Sequence, residues 1–224
     1  MPHRVDQWAW WVVAPNAWRT VSTAMRTANA PIVFTANYPV GMRGIGTNNW
    51  GGISVDEKRG WVIISTGSPA FDYYGGDRKG MNLFGNCVIV LDAMTGKRIW
   101  HYQTVHHDLF DYDLPCAPNL VTVRHNGRMV DAVAQVSKMG WLFLLDRDTG
   151  KPLYPIEERA VPKSMVPGEE SWPTQPFVTK PPPFSRQRMT ERDIALLSEE
   201  SAASLKERLK DVELAPIFTP PRLD

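Results

Sequence analysis

The chain repeats itself. Asp92-x-x-Thr-Gly-Lys-x-x-Trp100 recurs as Asp146-x-x-Thr-Gly-Lys-x-x-Tyr154, and each copy follows an apolar run, Cys87–Asp92 and Trp141–Asp146. A unit of short strands, turned at a Gly and closed by an aromatic, cannot bury its own faces. It must stack on copies of itself, which is how β-propeller blades are built. The repeat therefore predicts an all-β protein made of such blades.

From Trp50 onward the chain keeps the same grammar. Gly51–Asp56 reads as a short strand, Glu57–Gly60 as a turn and Trp61–Thr66 as a buried strand. A polar loop at Tyr73–Gly80 precedes strands at Cys87–Asp92 and Arg98–Gln103. Asp131–Val136 and Trp141–Asp146 flank a turn at Lys138–Gly140. Residues 155–188, with Pro181-Pro-Pro183, read as an extended Pro-rich excursion rather than a blade. Thr190–Asp193 carries a capping-box-like helix start, and Ser198 begins a second short helix. That helix puts Ala202, Leu205, Leu209 and Val212 on one side, suited to covering a propeller face. Residues 1–45, Trp-rich between Trp8 and Trp18, lack this grammar and stay unassigned. The organisation is thus 1–45 unassigned, 46–154 blades, and 155–224 excursion and short helices of the same domain.

Charge and hydropathy remove several classes. A net charge of +1 argues against a nucleic-acid binder or an anionic-membrane binder. No run approaches the roughly 20 apolar residues of a transmembrane helix. Gln7–Ala14 imitates a signal-peptide core only faintly and lacks a cleavage site, so none is expected. Cys87 and Cys116 have no metal-type spacing; they read as a reduced pair, or as a disulfide in an oxidising compartment.

The chemistry concentrates in Thr104–Pro115. Two imidazoles (His106, His107) and three carboxylates (Asp108, Asp111, Asp113) sit where a strand gives way to a turn. Lys138 follows in the next strand–turn–strand unit, so a candidate base and a candidate cation belong to repeated elements that can meet. Taken singly, Asp111 could be a turn-capping Asp, Lys138 a solvated turn residue, and Trp50 one core indole among nine Trp. The adjacent histidines point opposite ways on an extended segment and read as loop scaffolding rather than a shared metal site. Asp72, Asp77 and Arg78 read as solvated turn residues.

These residues resemble those of the pyrroloquinoline-quinone (PQQ) dependent dehydrogenases, the membrane-type glucose, polyol and quinate branch. The matching runs are Trp50–Asp56, Gly75–Arg78, Thr95–Lys97, Gln103–Asp111, Ser171–Phe177 and Phe218–Pro221, so the likeness covers about residues 46–224. It implies an eight-bladed propeller of which this chain is an internal or truncated portion. By the same resemblance, Asp111 is the catalytic carboxylate and a ligand of Ca²⁺ (or Mg²⁺). Lys138 hydrogen-bonds the quinone oxygens, and Trp50 is the floor on which PQQ stacks. Ser68 stands where soluble alcohol-oxidising members carry an amide metal ligand. The implied activity is oxidation of a sugar, polyol or cyclic alcohol to the carbonyl or lactone, with electrons passed to a membrane quinone. The implied place is the periplasm, at the inner membrane. The alternative is a non-catalytic propeller scaffold, or an inactive fragment that cannot close its propeller.

Overall fold

Period-two alternation sorts the apolar residues of the first sheet onto two faces. In the computed structural model, which describes residues 47–190, 193, 198–210, 212 and 214–223, four antiparallel strands run in the order β1-β2-β3-β4. They are β1 (Ile53–Asp56), β2 (Trp61–Ser65), β3 (Cys87–Asp92) and β4 (Arg98–Gln103). Val62, Ile64, Ile89 and Leu91 pack on one face, against Ile53 and Val55. Ile63, Val88, Val90 and Trp100 pack on the other, together with Leu114, Val133 and Leu145 from the chain that follows. Both faces of β2 and β3 are therefore covered, which explains their continuous apolar runs. Each fully buried Ile, Val or Leu there contributes about 1.5–3 kcal/mol.

The second sheet is β5 (Asn119–His125), β6 (Arg128–Val136) and β7 (Leu142–Asp146), again an antiparallel meander. The two repeat copies form the same turn, bond for bond. Asp92 Oδ1 accepts from Thr95 N (2.7 Å) and Thr95 Oγ1 (2.7 Å). Asp146 Oδ1 accepts from Thr149 N (2.9 Å) and Thr149 Oγ1 (2.8 Å). Gly96 (φ 68°) and Gly150 (φ 70°) supply the left-handed residue in each.

The sheets lock together through one aromatic. Trp100 closes the first repeat; its Nε1 donates to Arg147 O (2.8 Å), and its ring lies where a Cβ on Gly150 would come within 2.6 Å. Charge supports the same junction. The buried Asp56 Oδ2 accepts from Arg59 Nη1 (3.0 Å) and Arg147 Nη1 (3.1 Å). Arg59 also reaches Asp131 (2.9 Å) on the second sheet and Asp148 (2.7 Å) in the turn that follows β7. Tyr154, the matching aromatic of the second copy, meets His125 edge-on at 5.1 Å instead. Pro152 stands where Arg98 begins β4, and it cannot donate to a ladder. The second copy makes only a bridge, Leu145–Pro152, before the chain departs.

The Pro-rich excursion is more ordered than its composition suggests. It contains a hairpin of β8 (Ile156–Ala160) and β9 (Thr174–Val178), paired from Ile156–Val178 to Ala160–Thr174. Helix α1 spans Glu199–Arg208, capped by Ser198, which accepts from Ser201 N as the sequence predicts. The expected covered side holds at Ala202, which is buried, and at Leu205 and the C-cap Leu209, which are half-buried; Val212 departs from it, lying beyond the helix and 51% exposed. Cys87 and Cys116 are free thiols. The unassigned segment 1–45, with the signal-peptide reading, lies outside the described residues, as does most of the helix begun at Thr190.

Gly150 and Gly127 both have positive φ, but a Cβ at Gly127 meets nothing within 4 Å. Gly127→Ala should cost about 1 kcal/mol for the backbone conformation alone. Gly150→Ala should cost a further 1–3 kcal/mol or so by displacing the Trp100 indole. Denaturant unfolding of the two variants measures the difference; equal losses would mean that the Trp100 contact does not couple the sheets.

Candidate active site

The segment from Thr104 to Pro118 joins β4 to β5, so it crosses from the first sheet to the second. Its shape is held from one side by aromatic packing. The Phe110 and Tyr112 rings stack at 5.2 Å, and both meet the fully buried Phe218 edge-on, at 5.5 and 5.7 Å. Trp141 and Phe177 complete the cluster around Phe218, at 5.8 and 5.3 Å. Asp111 lies between Phe110 and Tyr112 in the left-handed region, φ 59°.

Lys138 comes from the β6–β7 turn, where Gly140 N bonds Ser137 O (3.0 Å) and Lys138 N bonds Asp113 O (3.1 Å). Its Nζ donates to Asp111 Oδ2 at 2.8 Å and to Asp113 Oδ2 at 2.5 Å. It also stands 5.7 Å from the centroid of the Trp50 ring, within cation–π range. Trp50 arrives from before β1. Asn49 Nδ2 pins that approach to Gly52 O (2.7 Å) and Ser65 O (2.6 Å). A Cβ on Gly51 would come within 2.7 Å of Leu114 O, and one on Gly67 within 2.5 Å of Asp113 Oδ1 and 2.8 Å of Trp50 Nε1. Two glycines thus allow three chain segments to converge. Trp50 keeps 52% of its surface exposed beside the ammonium.

The charges divide unequally. Burial pushes the Asp113 carboxyl up, but the Lys138 ammonium and the Ser68 N–H (2.6 Å from Oδ1) outweigh it and hold it below the usual range. Asp111 goes the other way: burial and the adjacent Asp113 charge raise it, and Lys138 only partly offsets them. Burial lowers Lys138, yet the two carboxylates outweigh that and keep it firmly protonated.

Asp111, Lys138 and Trp50, expected to act together, are brought together. Sequence reasoning passed over Asp113, the ammonium's shorter contact. Its signal was present in the Asp-Tyr-Asp spacing, which puts both carboxylates on the Lys138 side of the segment. Arg78 is not a solvated turn residue. It is 1% exposed and donates to Asn82 Oδ1 (2.5 Å), Phe71 O (3.1 Å) and Asp108 O (2.5 Å), bracing the loop from beneath. The histidines brace it too. His106 Nδ1 meets Gln103 Oε1 (2.7 Å) and its Nε2 meets Glu158 (3.1 Å), while His107 Nδ1 donates to Gly80 O (2.7 Å).

A planar aromatic face beside a single ammonium suits a flat, oxygen-rich ring. A family model described as the PQQ glucose/ethanol/alcohol dehydrogenase β-propeller domain matches residues 5–224. The chain belongs to this family. Among its relatives is the quinoprotein glucose dehydrogenase of Gluconobacter oxydans, 44% identical over 58% of this chain and 16% of that protein. The quinate/shikimate dehydrogenase (quinone) of Acinetobacter baylyi is 38% identical over 66% of this chain and 18% of its own length. The glycerol dehydrogenase large subunit of Gluconobacter oxydans is 34% identical over 79% and 24%. The chain therefore spans less than a quarter of these PQQ-family relatives. The match begins at residue 5, upstream of where the resemblance becomes legible.

The sign of each shift fixes a stability prediction. Asp113 has a depressed folded pKa, so its contribution is whole above its ordinary value of 3.8 and is lost as pH falls through the folded pKa. Asp111 has the opposite sign, because raising its pKa favours the protonated form. Asp113→Asn should therefore be about 1–3 kcal/mol less stable than the parent at pH 7. That gap should close as pH falls toward about 2. Urea midpoints across this range test it; a gap that stays constant would show that the Asp113 charge is not what stabilises.

Proposed function

We propose that this chain supplies the carboxylate, ammonium and aromatic side of a PQQ-dependent site that oxidises a sugar, polyol or cyclic alcohol. The observation that carries the reading is Lys138 Nζ, bonded to Asp111 and set over the exposed Trp50 ring. When bound, the quinone accepts the hydride that leaves the alcohol carbon.

The chain's own residues do the rest. Asp111 takes the hydroxyl proton at its carboxylate, and its raised pKa suits a group that must hold that proton. Lys138 has three N–H donors, of which two are engaged by carboxylates. The third remains for a cofactor oxygen, where a fixed positive charge stabilises added electron density. Asp113 stays ionised and holds Lys138 in place. Trp50 presents the flat surface for stacking.

The metal fits less well. Ca²⁺ needs six to eight oxygen ligands and Mg²⁺ about six. Among the described residues no group of three or more His, Cys, Asp or Glu could hold an ion. Asp111 can contribute one ligand, and the others would come from residues outside this set. Ser68 does not replace them, because its hydroxyl is turned to Asp108.

Electron transfer to a membrane quinone, in the periplasm at the inner membrane, is what the family resemblance implies; the quinate/shikimate dehydrogenase among the relatives is named for a quinone. Among the described residues no helix is long and apolar enough to cross a membrane.

With PQQ and Ca²⁺ added, the purified protein should develop quinone absorbance and oxidise glucose or glycerol in a dye-linked assay. Asp111→Asn should retain the quinone but lose about 10²–10⁴-fold in kcat. Full turnover in that variant would remove Asp111 as the base. A parent protein that never binds the quinone would favour the scaffold reading.

A further inference from the structure

We propose that Asp108 is the positioning residue for Asp111: its buried carboxylate fixes the turn that presents Asp111 to Lys138. The proposal rests on reading Asp111 as the base. Asp108 is fully buried, and its two oxygens accept four hydrogen bonds from neutral donors. Two of these come from the amides that flank Asp111: Phe110 N to Oδ1 at 2.8 Å and Tyr112 N to Oδ2 at 2.8 Å. The other two are Asn86 Nδ2, at 2.7 Å, and the Ser68 hydroxyl.

Pinning the amides on both sides of a residue fixes the peptide planes around it. Asp111 needs such support, since φ 59° is a region that residues other than Gly enter rarely. The clamp and the aromatic cluster act on the same two residues. Phe110 and Tyr112 send their rings to Phe218 and their N–H groups to Asp108. With both neighbours anchored, the Asp111 side chain is left facing Lys138.

Ser68 extends the clamp to the second carboxylate. Its hydroxyl bonds Asp108 and its own N–H holds Asp113 Oδ1 at 2.6 Å. Asn86 adds a cross-tie, since Nδ2 also reaches Tyr112 O at 3.2 Å. The two carboxylates that share Lys138 are thereby positioned through one buried group that touches neither Lys138 nor the exposed face of Trp50.

The test uses Asp108→Asn and Ser68→Ala in the quinone-loaded protein. An Asn at 108 turns an N–H₂ toward donors, so at least one flanking amide loses its acceptor. Expected is a fall in kcat of about 10-fold or more, with KM and quinone retention within about 2-fold, because a misplaced base slows the step without weakening binding. Hydrogen exchange at the Phe110 and Tyr112 amides should quicken by about 10-fold or more, while Val90 and Phe143 in the sheets keep their protection. Ser68→Ala should shift both readouts the same way by less, and it carries the test if Asp108→Asn does not fold. Unchanged exchange at Phe110 and Tyr112 would overturn the proposal, as would a loss confined to KM or quinone retention. If the parent lacks turnover, the reading of Asp111 fails, and amide exchange still decides whether Asp108 holds the turn.

Discussion

Everything at the candidate site depends on the face-to-face packing of two sheets. Trp50 enters from before the first sheet, Asp111 and Asp113 lie on the connection between sheets, and Lys138 sits in a turn of the second. No one element holds two of these groups except the connector. Their mutual distances are therefore set by how Ile63, Val88 and Val90 meet Val133 and Leu145, and by the Trp100 ring seated on Gly150. A rotation of one sheet on the other would move Lys138 relative to Trp50 long before it disturbed either sheet's own hydrogen bonds. The Asp56–Arg147 pair, buried at this junction, opposes such a rotation. Losing Asp56 would leave the Arg147 guanidinium without its carboxylate in low dielectric, an error costlier than the pair's own net gain.

The fold was legible where local chemistry decides the outcome. β3 and β4 fall at the predicted residues, because apolar, β-branched-rich and aromatic stretches are bounded by Asp-x-x-Thr-Gly turns whose side chains close the turn themselves. The Ser198 helix start is local in the same sense. β5 escaped because Asn-Leu-Val-Thr-Val-Arg-His alternates with a largely exposed face and gives no apolar run. The β8–β9 hairpin escaped because β8 is nearly all exposed and β9 contains Pro176, which argues against a strand until its partner is seen.

The site was legible only in part, for a different reason. Asp111, Lys138 and Trp50 emerged because their surrounding runs are distinctive, and no local rule would have paired them. Asp113 and Arg78 were passed over because their parts are set by distant neighbours: Ser68 for one, the carbonyls of Phe71 and Asp108 for the other. Burial of an Arg in particular cannot be read from a Gly-Gly-Asp-Arg loop. The sequence shows a polar turn, and only the packed loop shows that the guanidinium points inward.

Three aspartates within six residues, chemically identical, end in three different states. Asp108 is walled in, satisfied by neutral donors and pushed up by burial. Asp113 is held down by an ammonium and an amide, and it stays charged. Asp111 shares the ammonium, but burial and the Asp113 charge raise it, so it takes up a proton more readily than Asp113 does. Environments that separate like groups in this way are how one site obtains a fixed charge and a working base together. Because Asp113 already compensates Lys138, protonating Asp111 does not strip the ammonium of its counter-charge. On the proposed reading of Asp111 as the base, the cation keeps its place while Asp111 changes state, because Asp113 goes on holding Lys138.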